Sequence, residues 1–191
     1  MRHWPGRNSL EGAERAGLAL RLMLRLRPLR PADEAAFRAA HAELQATDDF
    51  PFGIGFSPEL PWEVYLKARR DHQAGAFLPE RFVPNTFLIA EVDGAIVGRI
   101  SIRHELNDFL LREGGHIGYC VRPAYRRRGY ATEILRQGLI VARSLGIDRV
   151  LVTCDDDNQG SSAVIEACGG QLDSVVDISH PPGKLRRYWI G

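Results

Sequence analysis

The apolar positions of the chain change period several times, and each change marks a predicted element. Residues 23–29 alternate apolar and arginine side chains, with Leu24 and Leu26 on one face, the pattern of a half-buried strand. Pro31-Ala-Asp-Glu then opens a helix that runs to about Gln45, its proline and acids placed where a helix N-terminus favours them. Residues 47–61, rich in glycine, proline and phenylalanine, read as a long loop, and loops of that length often carry function. Helical spacing returns over residues 61–73. Strand-like runs follow at 86–92 and 95–104 around Asp93-Gly94, a dipeptide suited to a tight hairpin. A third antiparallel member spans 116–122. The next helix, near 128–145, shows Ile134, Leu135, Leu139, Ile140, Ala142 and Leu145 at helical spacing and Gly146 as a stop signal. A strand at 149–153, a helix at 161–167 and strands at 171–178 and 185–190 complete the pattern. This order predicts one α/β (α+β) domain with a mixed, mostly antiparallel sheet flanked by helices.

Composition narrows the function. At 191 residues the chain suits one domain, and its 45% hydrophobic content can fill a core. Twenty-five basic residues against 24 acidic ones leave a net charge of +1, so no global field draws in nucleic acid or a membrane, and neither is expected as a partner. Cys120, Cys154 and Cys168 show no Cys-x-x-Cys pair and no metal-ligand spacing, which points to free thiols in a reducing cytoplasm and to no metal. The acidic run Asp155-Asp-Asp157 lacks the alternating ligands and central glycine of a calcium loop and reads as a solvated turn. Arg21, Arg25 and Arg27 interrupt the most hydrophobic early stretch, which argues against a membrane span there. Residues 1–22 carry no core pattern and read as a poorly ordered extension ahead of a domain at 23–191.

The chemistry concentrates at Val-Arg-Pro-Ala-Tyr-Arg-Arg-Arg-Gly-Tyr-Ala (121–131), which leads from a strand-like run into an amphipathic helix. An arginine triplet alone is usually a solvated basic turn. With a strand before it, a helix after it and small residues at Gly129 and Ala131, it becomes a loop whose backbone N–H groups can approach a phosphate.

Arg126-x-x-Gly129-x-Ala131 resembles the pyrophosphate-binding signature of the GNAT N-acetyltransferase superfamily. The run from Asn158 to Gly170 after a strand is similar to that superfamily's second motif, and Arg103-His-Glu-Leu-Asn107 and Gly114-Gly-His-Ile-Gly-Tyr119 resemble a subset of predicted acetyltransferases. The resemblance covers roughly residues 24–190. It implies an acetyl-CoA-dependent enzyme that transfers acetyl to a primary amine, on a small molecule or a peptide, by direct attack, in a monomer or a homodimer. Cys120, Val121, Arg126, Arg127, Arg128, Gly129, Tyr130, Ala131, Thr132, Asn158, Ser161 and Ser162 are then the expected cofactor contacts. Many such enzymes carry a tyrosine as the leaving-thiolate acid seven residues after the asparagine; Ile165 stands there, so another donor serves, the thiolate departs unaided, or catalysis is lost and the protein is a degenerate acyl-CoA sensor. Tyr119, Tyr130 and Cys154 are conceivable substitutes.

Direct attack needs a neutral amine, and His116 is the expected base, since an ordinary imidazole titrates near neutrality. On strict alternation His116, Gly118 and Cys120 share one face of their strand, while Ile117, Tyr119 and Val121 share the other. His104 and Glu105, at the end of the preceding strand, are expected to meet His116 across the sheet in a polar cluster with Asn107 and Glu113. Glu105 is a second candidate base, and His104 and Asn107 candidate acceptor contacts. Phe50-Pro-Phe-Gly-Ile-Gly-Phe56 reads equally as core filling or as an apolar wall of the acceptor pocket.

Overall fold

Seven strands form one sheet in the order β1-β2-β3-β4-β5-β7-β6, in a computed structural model that describes residues 24–48, 50–179 and 182–191. The expected N-terminal extension lies outside those residues. The strands are β1 (Arg25–Arg27), β2 (Asn85–Val92), β3 (Ala95–Arg103), β4 (Ile117–Val121), β5 (Val150–Asp155), β6 (Gln171–Ser179) and β7 (Pro182–Ile190). All neighbours run antiparallel except β4 and β5, which are parallel and share a single rung, Ile117 with Val152. The helices are α1 (Glu34–Asp48), α2 (Trp62–Gln73), α3 (Tyr130–Ser144) and α4 (Gln159–Ala167). A wide helical turn at Leu110–Gly114, which no sequence period announces, leads into β4.

Strand alternation divides the core in two. Ile100, Ile102, Ile117, Val121, Val150 and Val152 face α3, whose Ile134, Leu135 and Leu139 close one core. Phe87, Ile89 and Ile96 face the other way and pack with Phe37, Phe52, Trp62 and Tyr65 in a second, aromatic core under α1 and α2. Phe37 sits at its centre, with ring centroids of Phe52, Phe56, Trp62 and Tyr65 between 5.1 and 5.3 Å away. The phenylalanine-rich loop is thus mostly core filling: Phe52 is wholly buried, whereas Phe50 stays 40% exposed. Gly138 lets α3 press onto β3, since a Cβ there would stand 2.2 Å from Ile100 Cδ1.

The two sheet halves meet through His116. Its backbone N–H donates to Leu151 O at 2.7 Å, and Leu151 N–H donates to His116 Nδ1 at 2.9 Å. An imidazole therefore takes the place of a ladder carbonyl at the foot of the β4–β5 pair. Beyond Ile117 and Val152 the two strands diverge.

Candidate functional site

A cleft of about 710 Å³ opens where β4 and β5 part, a volume suited to a small ligand or a cofactor arm. Tyr119, Cys120 and Val121 of β4 line one wall, and Asp155, Asn158, Gly160, Ser161 and Val164 the other. Arg126, Arg127, Gly129, Tyr130, Ala131 and Thr132 close one end, with Leu44, Asp48, Phe50 and Tyr125 beside them.

The loop before α3 is shaped for an anion. Arg127 has φ +62° and Gly129 φ +80°, two left-handed positions separated by one residue, which turn successive N–H groups the same way. The first N–H groups of α3 have no acceptor within their own helix and form the positive end of its dipole. The side chains play a different part from the backbone. Arg126 Nε donates to Val121 O at 3.2 Å, and its guanidinium pairs with Asp48 at the end of α1. Arg128 donates to Ala124 O at 3.1 Å and does not line the cleft.

On the opposite wall Asn158 caps α4, its Oδ1 accepting from Ser161 N–H at 2.9 Å. Ser161 Oγ lies 3.0 Å from Tyr119 Oη, so the two walls touch through hydroxyls. Burial, opposed in part by that bond, pushes the Tyr119 phenol up to about 12. Ser162 donates to Gln159 O and turns away from the cleft. Ile165 is fully buried in the α3 core and does not line the cleft. Burial also raises all three thiols, Cys154 to about 11, which makes them poor nucleophiles.

The remaining expected residues lie elsewhere. His116 is 8% exposed and outside the cleft lining, and the Nδ1 lone pair a base would use already accepts the Leu151 N–H. Burial first, then Arg103, holds its pKa below the ordinary value. The expected polar cluster does not assemble: among the described residues His116 has no hydrogen bond with His104, Glu105, Asn107 or Glu113. His104 turns toward β2 instead, its Nε2 2.9 Å from Thr86 Oγ1. Asn107 caps the wide turn through Leu110 N–H and donates to Arg81 O. Glu113 pairs with Arg112 at 3.5 Å, and Glu105 is exposed. Asp48, which the sequence did not single out, and Asp155, read there only as part of a solvated acidic turn, both line the cleft. Asp48 lies 78 residues before its arginine partner, a separation that no local pattern signals.

Among the described residues no three His, Cys, Asp or Glu side chains converge as a metal site, and no helix is long and apolar enough to cross a membrane.

The architecture recurs in solved structures. A protein from Mycobacterium smegmatis, RimJ in complex with CoA-disulfide, is 20% identical, with a TM-score of 0.67 over 87% of this chain and 81% of that one. YncA from Salmonella typhimurium, with its cofactor acetyl-CoA, is 15% identical with a TM-score of 0.61 over 88% and 93%. An acetyltransferase from Agrobacterium tumefaciens is 26% identical with a TM-score of 0.56 over 87% and 90%. No match is found among curated proteins. Residues 23–171 match the acetyltransferase (GNAT) domain, so the chain belongs to the GNAT acetyltransferase family.

Proposed function

We propose that the protein is an acetyl-CoA-dependent N-acetyltransferase that passes acetyl to a primary amine by direct attack. The parting of β4 and β5 beside the anion-shaped loop carries this reading. The pyrophosphate would lie on the N–H groups from Arg127 to Thr132, and the pantetheine arm along Val121 and Cys120. The thioester would then lie between Tyr119 and Ser161. A phenol near 12 stays protonated at neutral pH but is too weak an acid to hand its proton to a thiolate whose own pKa is about 8.5. Tyr119 therefore donates a hydrogen bond to the leaving sulfur, which departs as a thiolate.

With His116 committed to Leu151, we assign amine deprotonation to water, with Asp155 on the β5 wall as the receiving carboxylate. His116 acts as a bracket between strands. The three free thiols suit a reducing compartment such as the cytoplasm.

A second reading, a CoA-binding sensor without turnover, draws on buried Ile165, which has no proton to give a leaving thiolate. A screen of primary amines with thiol-release detection separates the two. Amine-dependent release of CoA is expected; tight acetyl-CoA binding with no release by any amine would favour the sensor.

A further inference from the structure

We infer that an anionic group of the acceptor, a carboxylate, binds over Gly118 between Arg99 and Arg103, on the β4 face turned away from α3. The inference rests on the acetyltransferase reading and names the substrate class of that site.

Alternation along β3 puts Ile100 and Ile102 into the α3 core and turns Arg99, Ser101 and Arg103 to the opposite face. Ser101 pairs with Gly118 across the β3–β4 ladder. A Cβ at position 118 would stand 3.4 Å from Arg103 Nη1 and 3.7 Å from Arg99 Nη1, so the two guanidinium groups converge over a residue with no side chain. Arg99 donates to Phe52 O, Gly118 O and Pro51 O, and Arg103 to Gly114 O and Gly115 O. Carbonyls satisfy N–H groups but do not neutralise charge.

Among the described residues no carboxylate pairs with Arg99 or Arg103. Arg27, Arg122 and Arg187, which are shielded too, each have an acid in contact. A third cation, Arg69 of α2, is 8% exposed and has no carboxylate either; its Nε and Nη1 have no partner. Arg69 lies over the Tyr65 ring at 5.1 Å, and Tyr65 Oη feels both Arg69 and Arg99 and is itself unpartnered. Ser101 Oγ is wholly buried with no partner, between the two β3 arginines. Burial, then Arg99, brings Arg103 down to about 10, a charge held where an anion would relieve it.

Buried Arg99 and partly buried Arg103, with orphaned Ser101 between them and Arg69 joined to Arg99 through Tyr65, lack one negative group. A carboxylate supplies two oxygens for two guanidinium forks and accepts from Ser101. The cluster adjoins the chemistry: Gly118 immediately precedes Tyr119, and successive strand residues rise about 3.3 Å, so an amine a few bonds from the carboxylate reaches the parted strands. Phe50 spans both regions, lining the cleft with its ring 5.2 Å from the Arg99 guanidinium.

The test titrates the protein saturated with CoA, by calorimetry, with a panel of N-acetyl amino acids, their carboxamides, and N-acetylethanolamine phosphate. CoA binding itself is read first, so failure of the acetyltransferase reading shows separately. At least one carboxylate is expected to bind, its carboxamide about tenfold or more weaker. Arg103→Gln and Ser101→Ala should each weaken the carboxylate while CoA affinity stays constant. Gly118→Ala, whose methyl makes only ordinary contacts, covers the case in which Arg103→Gln does not fold. Carboxamides binding as well as carboxylates, no carboxylate binding at all, tighter binding of the phosphate, or affinity surviving Gly118→Ala would each overturn the assignment.

Discussion

Strand β4 presents different chemistry on its two faces. Ile117, Tyr119 and Val121 belong to the α3 side, where the proposed pyrophosphate site is built from backbone N–H groups at Arg127, Gly129 and the start of α3. Gly118, on the other side, lies under side-chain cations carried by β3. A site built from backbone dipoles recognises a pyrophosphate through shape and changes little with side-chain substitution. One built from buried arginines commits its charge to a particular partner, and removing either leaves a charge exposed to a poor solvent. On the proposed reading, general cofactor binding lies on one face of β4 and acceptor specificity on the other.

The largest expected effect breaks the backbone site. Gly129→Glu puts a side chain at φ +80° and a carboxylate where the pyrophosphate would lie, and calorimetry should show CoA affinity down by about 100-fold or more. The fold should persist, since Gly129 is exposed at the N-terminus of α3.

His116→Ala sharpens the distinction between bracket and base. It orphans the Leu151 N–H, so thermal unfolding should report a loss of about 1–3 kcal/mol, with turnover per folded molecule nearly unchanged. A rate collapse at unaltered stability would restore the histidine as base. The pH dependence has a definite sign. Burial is the leading cause that holds His41, His72, His104 and His116 below their ordinary value. The unfolded chain therefore takes up protons near pH 6.5 that the folded chain refuses. Stability should be full above about 6.5 and fall as the pH drops through the folded values, less steeply in His116→Ala.

Tyr119→Phe should lower turnover by about tenfold while leaving acetyl-CoA affinity unchanged, because the hydroxyl contributes chiefly once negative charge grows on sulfur. Asp48→Asn has the smallest effect. It frees Arg126 from a partly exposed ion pair, which should tighten CoA binding by less than about fivefold.

The sequence exposes the fold more fully than the site, because local periods record strands and helices whereas catalytic geometry depends on distant partners. The Asp93-Gly94 hairpin is legible, since Val92 pairs with Ala95 and both turn residues have positive φ. So is most of the α3 stripe: Ile134, Leu135, Leu139 and Ala142 are buried, whereas Ile140 and Leu145 face solvent. Element ends shift where long-range bonds decide them: β7 begins at Pro182 rather than near residue 185, and β4 at Ile117 rather than His116. Histidine at 116 looks catalytic in isolation, and only Leu151, 35 residues away, reveals where its lone pair goes. Arg99, Ser101 and Arg103 follow ordinary strand alternation; their missing counter-charge is visible only once α1, α2 and the loop between them are folded over β3.

A crystal structure with acetyl-CoA bound tests the division of β4 most directly. The expected result has the pyrophosphate on the N–H groups of residues 127–132, the thioester sulfur within hydrogen-bonding reach of Tyr119 Oη, and the Arg99–Gly118–Arg103 face free of cofactor. A pyrophosphate held by Arg99 and Arg103, or a thioester remote from Tyr119, would contradict it.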